Sequence, residues 1–343
     1  MAQINKSTDY FNTKLYTGNG STQSISGIGF QPDWVWIKSR SQAVNHYGYD
    51  SVRGTDKRLQ QNITNAESTT DTTWFNSFDS DGFTIGSEAN INNSSSTYAS
   101  WNWLASNTTA SNTDGSITST VSANTTSGFS IVSYTGTGSN ATVGHGLGVA
   151  PKMIITKARG TTNNWGTYHE SLGNTDAVFL NLTAATDTAS TYWNNTSPTS
   201  SVFSVGSAAG TNPSATMIAY CFAEVKGFSK FGSYAGNGNA DGTFVYTGMR
   251  PAFVITKRTD SPSDWVILDN KRNSFNVVDK KLESSNSDAD TTQTACDFLS
   301  NGIKLKDTTT SYLGTNISGG TYIYMAFAES PLVGTNNIPA VAR

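Results

Sequence analysis

The sequence has few charged residues and lacks long apolar runs. Only 14% of its 343 residues are Asp, Glu, Lys or Arg, and the net charge is −3. Such a chain has no electrostatic bias towards nucleic acid or an anionic membrane. No run of about 18 apolar residues predicts a membrane span, and the opening Met1–Lys6 has no apolar segment that would direct secretion. We therefore expect neither membrane insertion nor signal-dependent export.

Metal-binding and nucleophilic side chains are also scarce. The chain has two cysteines and three histidines. Cys221 and Cys296 stand alone in different parts of the chain, which predicts buried free thiols rather than a disulfide. A structural metal site needs more ligands than His46, His145 and His169 provide, and these three share no position in the repeat described below. We predict no metal site and no cofactor.

Acidic residues give no catalytic pattern either. Glu224 and Glu329 occupy matching positions in two repeats, but a glycoside hydrolase needs two carboxyl groups at one site. The segment Asp79–Gly82 resembles the start of a calcium loop, yet a hairpin turn explains it better because the matching segments lack the first carboxylate. We predict that the protein is not an enzyme, and keep a carbohydrate-active enzyme as a distant alternative.

Ser, Thr, Asn, Gly and aromatic residues make up much of the chain, with aromatics at 11%. This composition favours many short strands joined by polar turns. Runs of four to eight β-branched and aromatic residues alternate with Gly-, Asn- and Asp-containing turns such as Asp81-Gly82 and Asn301-Gly302. The pattern predicts an all-β fold built of antiparallel β-sandwiches of lectin-like or jelly-roll type.

One pattern of landmarks occurs three times, which indicates internal repetition. A Tyr-x-Gly-x-Gly segment precedes a proline by 16 or 17 residues, and the proline opens an apolar run that ends on a lysine six residues later. The three copies are Tyr16/Pro32/Lys38, Tyr134/Pro151/Lys157 and Tyr234/Pro251/Lys257. Each copy ends on an aromatic-rich strand. The spacing predicts three tandem sandwich domains.

These landmarks set the expected domain boundaries. We assign residues 1–8 to an N-terminal arm, 9–106 to unit 1, 107–126 to a Ser/Thr/Asn-rich linker, 127–225 to unit 2, 226–331 to unit 3, and 332–343 to a C-terminal tail. The connection between units 2 and 3 is short, so we expect those two units to form a rigid pair and unit 1 to be looser.

Within the proline-led strands, the apolar positions vary in kind but stay apolar. Trp34 and Trp36 lie on one face of their strand, and Met153 and Ile155 take their places in unit 2. Residues two apart along a strand point the same way. We therefore predict that Trp34 and Trp36 belong to a core.

Cations recur at the ends of these strands, and a ring follows each proline by 14 residues. The cations are Lys38, Arg40, Lys157, Arg159, Lys257 and Arg258; the rings are His46, Trp165 and Trp265. The cations either cap strand ends by bonding carbonyl groups or neighbouring carboxylates, or they line a carbohydrate or subunit contact. The rings are candidates to stack on sugar faces.

The landmarks together resemble a repeated β domain of tailed-bacteriophage virion proteins, marine ones in particular. The segments that carry the resemblance are Tyr16–Gly20, Gly29–Arg40, Asp50–Gly54, Ser80–Ser87 and Ala326–Pro331. The resemblance is thinner in unit 2. Asp50–Gly54 is missing from units 2 and 3, so Asp50 and Arg53 are candidate contact residues of unit 1 alone.

The resemblance implies a non-catalytic virion component. We expect a tail fibre or adhesin that binds a host surface polysaccharide; the alternative is a head decoration or capsid fibre protein with a mechanical role. The expected partners are other virion proteins and further copies of the chain, a homotrimer by analogy with fibres. The expected location is the virion, assembled in the host cytoplasm and released by lysis.

Overall fold

The computed structural model of the protein describes residues 4–310 and 314–334. Nearly all regular structure in these residues is antiparallel β-sheet, arranged as sandwiches. Helices are limited to a 3-10 turn at Ser7–Asp9, α1 (Ala89–Asn92) and α2 (Ser190–Trp193) in the described residues. The all-β sandwich prediction is confirmed.

Unit 1 contains nine strands in two sheets. They are β1 (Phe11–Thr17), β2 (Gln23–Ser26), β3 (Trp34–Ser39), β4 (Tyr47–Asp50), β5 (Gly54–Leu59), β6 (Ser68–Thr69), β7 (Phe75–Asp79), β8 (Gly82–Ile85) and β9 (Thr97–Trp103). The main sheet has the order β1-β9-β3-β4-β5-β6, and β2-β8-β7 forms the second sheet. The β7–β8 hairpin is present as the sequence predicts, but its two loop residues are Ser80 and Asp81, and Gly82 is the first residue of β8.

Unit 2 is preceded by two extra strands that join its main sheet. The strands are β10 (Ala110–Asn112), β11 (Ser119–Asn124), β12 (Phe129–Thr135), β13 (Ala141–Gly144), β14 (Met153–Ala158), β15 (Gly166–His169), β16 (Asp176–Phe179), β17 (Asp187–Thr188), β18 (Val202–Val205) and β19 (Thr216–Phe222). The main sheet runs β10-β11-β12-β19-β14-β15-β16-β17, and β13 pairs with β18. The expected linker 107–126 is therefore wrong: β11 pairs with β12 over its whole length.

Unit 3 repeats the strand order of unit 1. Its strands are β20 (Ser229–Ala235), β21 (Phe244–Tyr246), β22 (Met249–Arg258), β23 (Trp265–Asp269), β24 (Val278–Glu283), β25 (Thr291–Leu299), β26 (Gly302–Leu305) and β27 (Thr321–Pro331). They form one continuous sheet, β20-β27-β22-β23-β24-β25-β26-β21. A β24–β25 ladder joins the parts that remain two separate sheets in unit 1.

The proline-led strands are buried on both faces, which explains their unbroken apolar runs. All six residues of β3 are buried. Val35 and Ile37 face the core of unit 1, whereas Trp34 and Trp36 face a larger core that all three units share. The predicted core role of Trp34 and Trp36 is confirmed.

The shared core has a triangle of aromatic rings at its centre. Trp103, Phe222 and Phe327 occupy matching positions near the ends of β9, β19 and β27. Their ring centroids are 6.3, 5.9 and 6.1 Å apart, so one ring from each unit packs at a similar distance from the other two. All three side chains are about 1% exposed. The units thus surround a common pseudo-threefold axis.

This arrangement corrects the expectation of a rigid pair with a looser unit 1. Unit 1 supplies Trp34, Trp36, Trp101 and Trp103 to the shared core and contacts both other units. The expected N-terminal arm is also partly wrong, because Ile4 is buried in the same core. Residues 1–3 of the arm and 335–343 of the tail lie outside the described residues.

The Tyr-x-Gly-x-Gly landmark forms a turn that a buried asparagine holds. In unit 2, the side chain of Asn212 accepts a hydrogen bond from the Thr137 amide at 2.9 Å and donates to the Ser139 and Gly206 carbonyls. Asn92 and Asn316 make the matching contacts in units 1 and 3. A Cβ at Gly136 would lie 2.0 Å from the Pro213 carbonyl oxygen, so this position requires glycine.

Candidate functional site

The three strand-end lysines lie between units rather than on the surface. Lys38 donates to the Ser287 carbonyl of unit 3, Lys157 to the Thr64 carbonyl of unit 1, and Lys257 to the Thr183 carbonyl of unit 2. Each ammonium group thus reaches a backbone oxygen of the neighbouring unit, and the three contacts run in one direction around the axis. All three lysines are 0% exposed.

Burial changes the protonation of these lysines. Desolvation lowers the pKa of Lys38, Lys157 and Lys257 to about 8 in each case. The carbonyl contacts keep the ammonium hydrogen-bonded, but they do not replace the lost water fully. The lysines therefore serve as caps on neighbouring backbone, the first of the two roles that the sequence left open.

The rings 14 residues after each proline make a second set of contacts between units. The indole of Trp165 donates to the Gln60 carbonyl of unit 1 at 2.9 Å, and that of Trp265 donates to the Phe179 carbonyl of unit 2 at 2.9 Å. His46 completes the set: its Nδ1 accepts from the Trp36 indole, so Nε2 carries the proton and donates to the Glu283 carbonyl of unit 3 at 2.9 Å. Burial holds the pKa of His46 well below its usual range.

Two buried charge networks connect unit 1 to its neighbours. In the first, Arg53 pairs with Asp50 within unit 1, both side chains being 0% exposed, and also with Glu67 at 3.1 Å. Arg159 of unit 2 forms a two-pronged pair with the same Glu67, at 2.8 and 2.9 Å. The Tyr220 hydroxyl of unit 2 donates to Asp50 at 2.7 Å. The network therefore joins units 1 and 2.

The second network joins units 3 and 1 with equivalent residues. Arg272 pairs with Asp269 at 2.6 Å and with Asp290 at 3.0 Å, and Arg40 of unit 1 pairs with Asp290 at 2.8 Å. The Trp101 indole of unit 1 donates to Asp269 at 3.2 Å. The segment Asp50–Gly54 has no copy in unit 3, but Asp269 and Arg272 form the equivalent of the Asp50/Arg53 pair there, so this pair is not confined to unit 1.

The contact between units 2 and 3 uses neutral groups instead. His169 takes the place of Asp50; its Nδ1 accepts from the Ser171 amide, and its Nε2 donates to the Tyr324 carbonyl of unit 3 at 3.1 Å. Burial lowers the pKa of His169 to about 4, so the ring is neutral there. Arg258 pairs with Asp260 of its own unit.

These positions correct the glycan-contact reading of the candidate residues. The side chains of the candidate residues are fully or mostly buried in contacts among the three units. Arg258 is the exception, because it pairs with Asp260 within a loop. Trp165 and Trp265 are at most 1% exposed, so neither ring presents a face to a sugar. The repeated residues hold the three units together around the pseudo-threefold axis.

The interior also holds a carboxyl group with an unusual protonation. Glu283 is 1% exposed, and burial, followed by repulsion from Asp264, raises its pKa to about 7. Such a pKa suits proton transfer. However, Glu283 lies at the contact of units 3 and 1, beside His46, where a substrate has no access.

Other sites of chemistry are not found in the part of the chain that the structure describes. No group of three or more His, Cys, Asp or Glu side chains there is arranged to hold a metal ion. Cys221 and Cys296 are buried and free, as predicted, and burial raises the pKa of both thiols. No helix in residues 4–310 and 314–334 is long and apolar enough to cross a membrane.

Sequence reasoning missed the aromatic rings that do face solvent. Phe244, Tyr246 and Phe275 are 44, 57 and 80% exposed, and all three belong to unit 3. Phe244 and Tyr246 point outward from β21, with Val245 between them in the core. The strands β2, β13 and β21 are equivalent, and their pairing with β8, β18 and β26 puts Ser24 and Thr142 at the position of Phe244. An alignment of the three units around Gly302 would have revealed this difference.

Unit 3 also has an open groove between the edges of its two layers. Two adjoining cavities of about 180 and 320 Å³ share Lys226, Gly227, Tyr246 and Gly248. Glu224 and Lys230 form an ion pair of 2.8 Å at one side of the groove. The larger volume is at the lower end of the range of small-molecule sites, roughly 300–1,000 Å³. We call this region the β20–β21 groove.

The fold and these contacts define an all-β protein in which antiparallel sandwiches close around one aromatic core. Equivalent contacts of buried lysines, rings and charged pairs hold the three units together, and the exposed aromatic rings belong to unit 3.

The chain belongs to the DUF7483 family, a domain of unknown function, whose model matches residues 6–331. The matched range includes all three units, from the start of the described 3-10 turn to the end of β27. No curated protein matches the sequence.

Proposed function

We propose that the protein is a structural component of a tailed-bacteriophage virion, of the tail-fibre or adhesin type, which binds a host surface glycan without catalysis. The sequence resemblance supports the virion part of this proposal. The exposed rings of unit 3 support glycan binding, because aromatic faces stack on the apolar faces of sugars. Phe244 and Phe275 are the proposed contacts.

The shared core favours a second candidate, a head decoration or capsid fibre with a mechanical role. Three units that share one core and two buried charge networks resist separation, which suits a load-bearing part. In both cases the proposed partners are other virion proteins. Assembly into a homotrimer stays a prediction.

Binding of the purified protein to host cells and to extracted surface polysaccharide tests the glycan proposal. We expect saturable binding that the double variant Phe244→Ser/Phe275→Ser weakens by about fivefold per ring, the effect of losing roughly 1 kcal/mol of stacking for each. Val149→Ser is the matched control, since Val149 is 52% exposed and belongs to unit 2.

Other outcomes decide between the candidates. Binding to particles that lack the protein, without binding to cells or polysaccharide, would replace the adhesin with the decoration protein. Release of reducing sugar from the polysaccharide would show that the protein is an enzyme. Antibody labelling of particles in the electron microscope would give its position on the virion.

A further inference from the structure

The three units differ in what covers the side of the sandwich between its first and second strands. In unit 2, β11 adds to the edge of β12, and the residues just before β11 reach the second layer, where Ile117 forms a bridge with Val143 of β13. The Ser119 hydroxyl donates to the Gly144 carbonyl at 2.8 Å. The segment 107–126 therefore closes this side of unit 2.

Side chains of β11 enter the space between the layers, beside a remaining cavity of about 330 Å³. Val121 and Ala123 lie directly over Gly146, where an added Cβ would come within 3.1 and 3.2 Å of them. Strand pairing makes Gly248 the equivalent of Gly146, and both glycines have positive φ, +70° and +71°. In unit 3 the space over Gly248 is the β20–β21 groove, and no strand of the described residues fills it.

The edge of β20 is also free where β12 is paired. Hydrogen bonds to β27 at Phe228 and Gly236 fix the alternation, so the backbone groups of Phe231, Ser233 and Ala235 point away from β27. Glu224 accepts from the Phe231 amide at 3.4 Å, and Thr243 donates to the Ala235 carbonyl. Within residues 4–310 and 314–334, neither the amide nor the carbonyl of Ser233 has a hydrogen-bond partner, and Ser233 is exposed.

Ser233 matches Ser133, which pairs with Thr120 of β11. The first strand of unit 1 differs, because Leu15, the residue that matches Ser233, is half-buried and Lys14 reaches towards Gly27. Unit 3 thus combines the exposed edge of its first strand with an open groove.

We propose that the β20 edge and the β20–β21 groove bind an extended segment of a partner polypeptide as an added antiparallel strand, in the way that β11 adds to β12. The segment has hydroxyl residues at the positions of Thr120 and Ser122, and small apolar residues at those of Val121 and Ala123, which enter the groove beside Tyr246. Main-chain hydrogen bonds to Ser233 supply affinity, and the groove selects the side chains. This proposal does not depend on glycan binding.

A fluorescein-labelled peptide with the sequence of residues 116–126 is the probe. The covalently attached copy of this sequence already occupies the β12 edge at a high effective concentration, so the free peptide does not displace it there, and binding that depends on Ser233 reports on the β20 edge. We expect saturable anisotropy, and slower amide hydrogen exchange at Ser233 and Ala235 when the peptide is bound.

Two substitutions test the edge directly. Ser233→Pro removes the outward amide at a position where an edge strand tolerates proline, and Ser233→Lys adds a charge that discourages strand pairing. Each should weaken binding at least tenfold. Ser24→Lys, at an exposed serine of the edge strand β2, should leave it unchanged. Circular dichroism confirms that each variant is folded.

The proposal is overturned if the peptide does not saturate the protein below about 1 mM, or if both Ser233 variants bind it like the wild type. It is also overturned if the occupant is another segment. Dimers that Ser233→Lys dissociates in light scattering would identify a second copy. Peptide binding that occurs only after removal of residues 335–343 would identify the chain's own C-terminus.

Discussion

Replacing Phe222 with alanine tests whether the three units fold as one body. Phe222 is 1% exposed and contacts rings of all three units: Phe129 at 4.9 Å, Trp103 at 6.3 Å and Phe327 at 6.1 Å. Truncating a buried phenylalanine costs about 3–5 kcal/mol, from lost apolar burial and the cavity left behind. We expect a loss of that size in the free energy of unfolding.

Guanidinium unfolding followed by two signals provides the assay. Tryptophan fluorescence reports mainly on unit 1, which holds five of the eight tryptophans, whereas far-ultraviolet circular dichroism reports on all strands. If the core is shared, Phe222→Ala in unit 2 shifts both transitions together to lower denaturant. The control Val149→Ala, 52% exposed, should change stability by no more than about 0.5 kcal/mol.

One result would refute the reasoning. If the fluorescence transition keeps its midpoint while circular dichroism shows an earlier, separate step, unit 2 unfolds alone and the shared core does not couple the units. A loss below about 1 kcal/mol would show that the cavity collapses or that Phe222 is not packed as described.

Three further predictions follow from buried polar groups. The three buried lysines have pKa values near 8 in the folded chain and higher values in the unfolded chain, so the melting temperature should rise between about pH 8 and pH 9. Lys157→Met should remove about a third of that rise. If the melting temperature of the variant depends on pH as that of the wild type does, Lys157 is not buried as assigned. Because the pKa of Glu283 is raised to about 7, this residue contributes fully to the free energy of unfolding below about pH 4.5, and that contribution is lost as pH rises through 7. Glu283→Gln should flatten the pH dependence of melting between those values, and a profile like that of the wild type would exclude this carboxyl as its source. Asn212→Ala leaves the buried partners of its amide unpaired and should cost at least about 2 kcal/mol in denaturant unfolding, whereas the exposed Asn140→Ala should cost almost nothing; equal effects would refute the asparagine-held turn.

The strand pattern and the repeat could be predicted from sequence because they depend on local chemistry. Alternation along Trp34–Ile37 follows from the two-residue period of a strand, and Asp81-Gly82 suits a tight turn wherever it occurs. The buried Asn92, Asn212 and Asn316 also recur at similar distances from the prolines, so a closer comparison of the copies would have found them.

The partners of the candidate residues could not be predicted in the same way. A lysine at a strand end looks alike in sequence whether its ammonium group meets water or a distant carbonyl. Lys38 and Ser287 are 249 residues apart, and no local pattern links them. The Asp269/Arg272 pair escaped notice for a related reason: Asn270 and Lys271 replace Ser51 and Val52 between the paired residues, while the geometry of the pair is kept.

The sequence by itself thus determined the all-β class, the three copies, the strand faces and the hairpin turns, since propensity and period act over a few residues. Only the tertiary structure decided that the copies share one core, that the recurring cations and rings join them, and that residues 107–126 close the side of unit 2 that unit 3 leaves open. Those outcomes depend on which surfaces meet. Which surfaces meet is set by the packing of whole sheets, and it cannot be predicted from the spacing of residues along the chain.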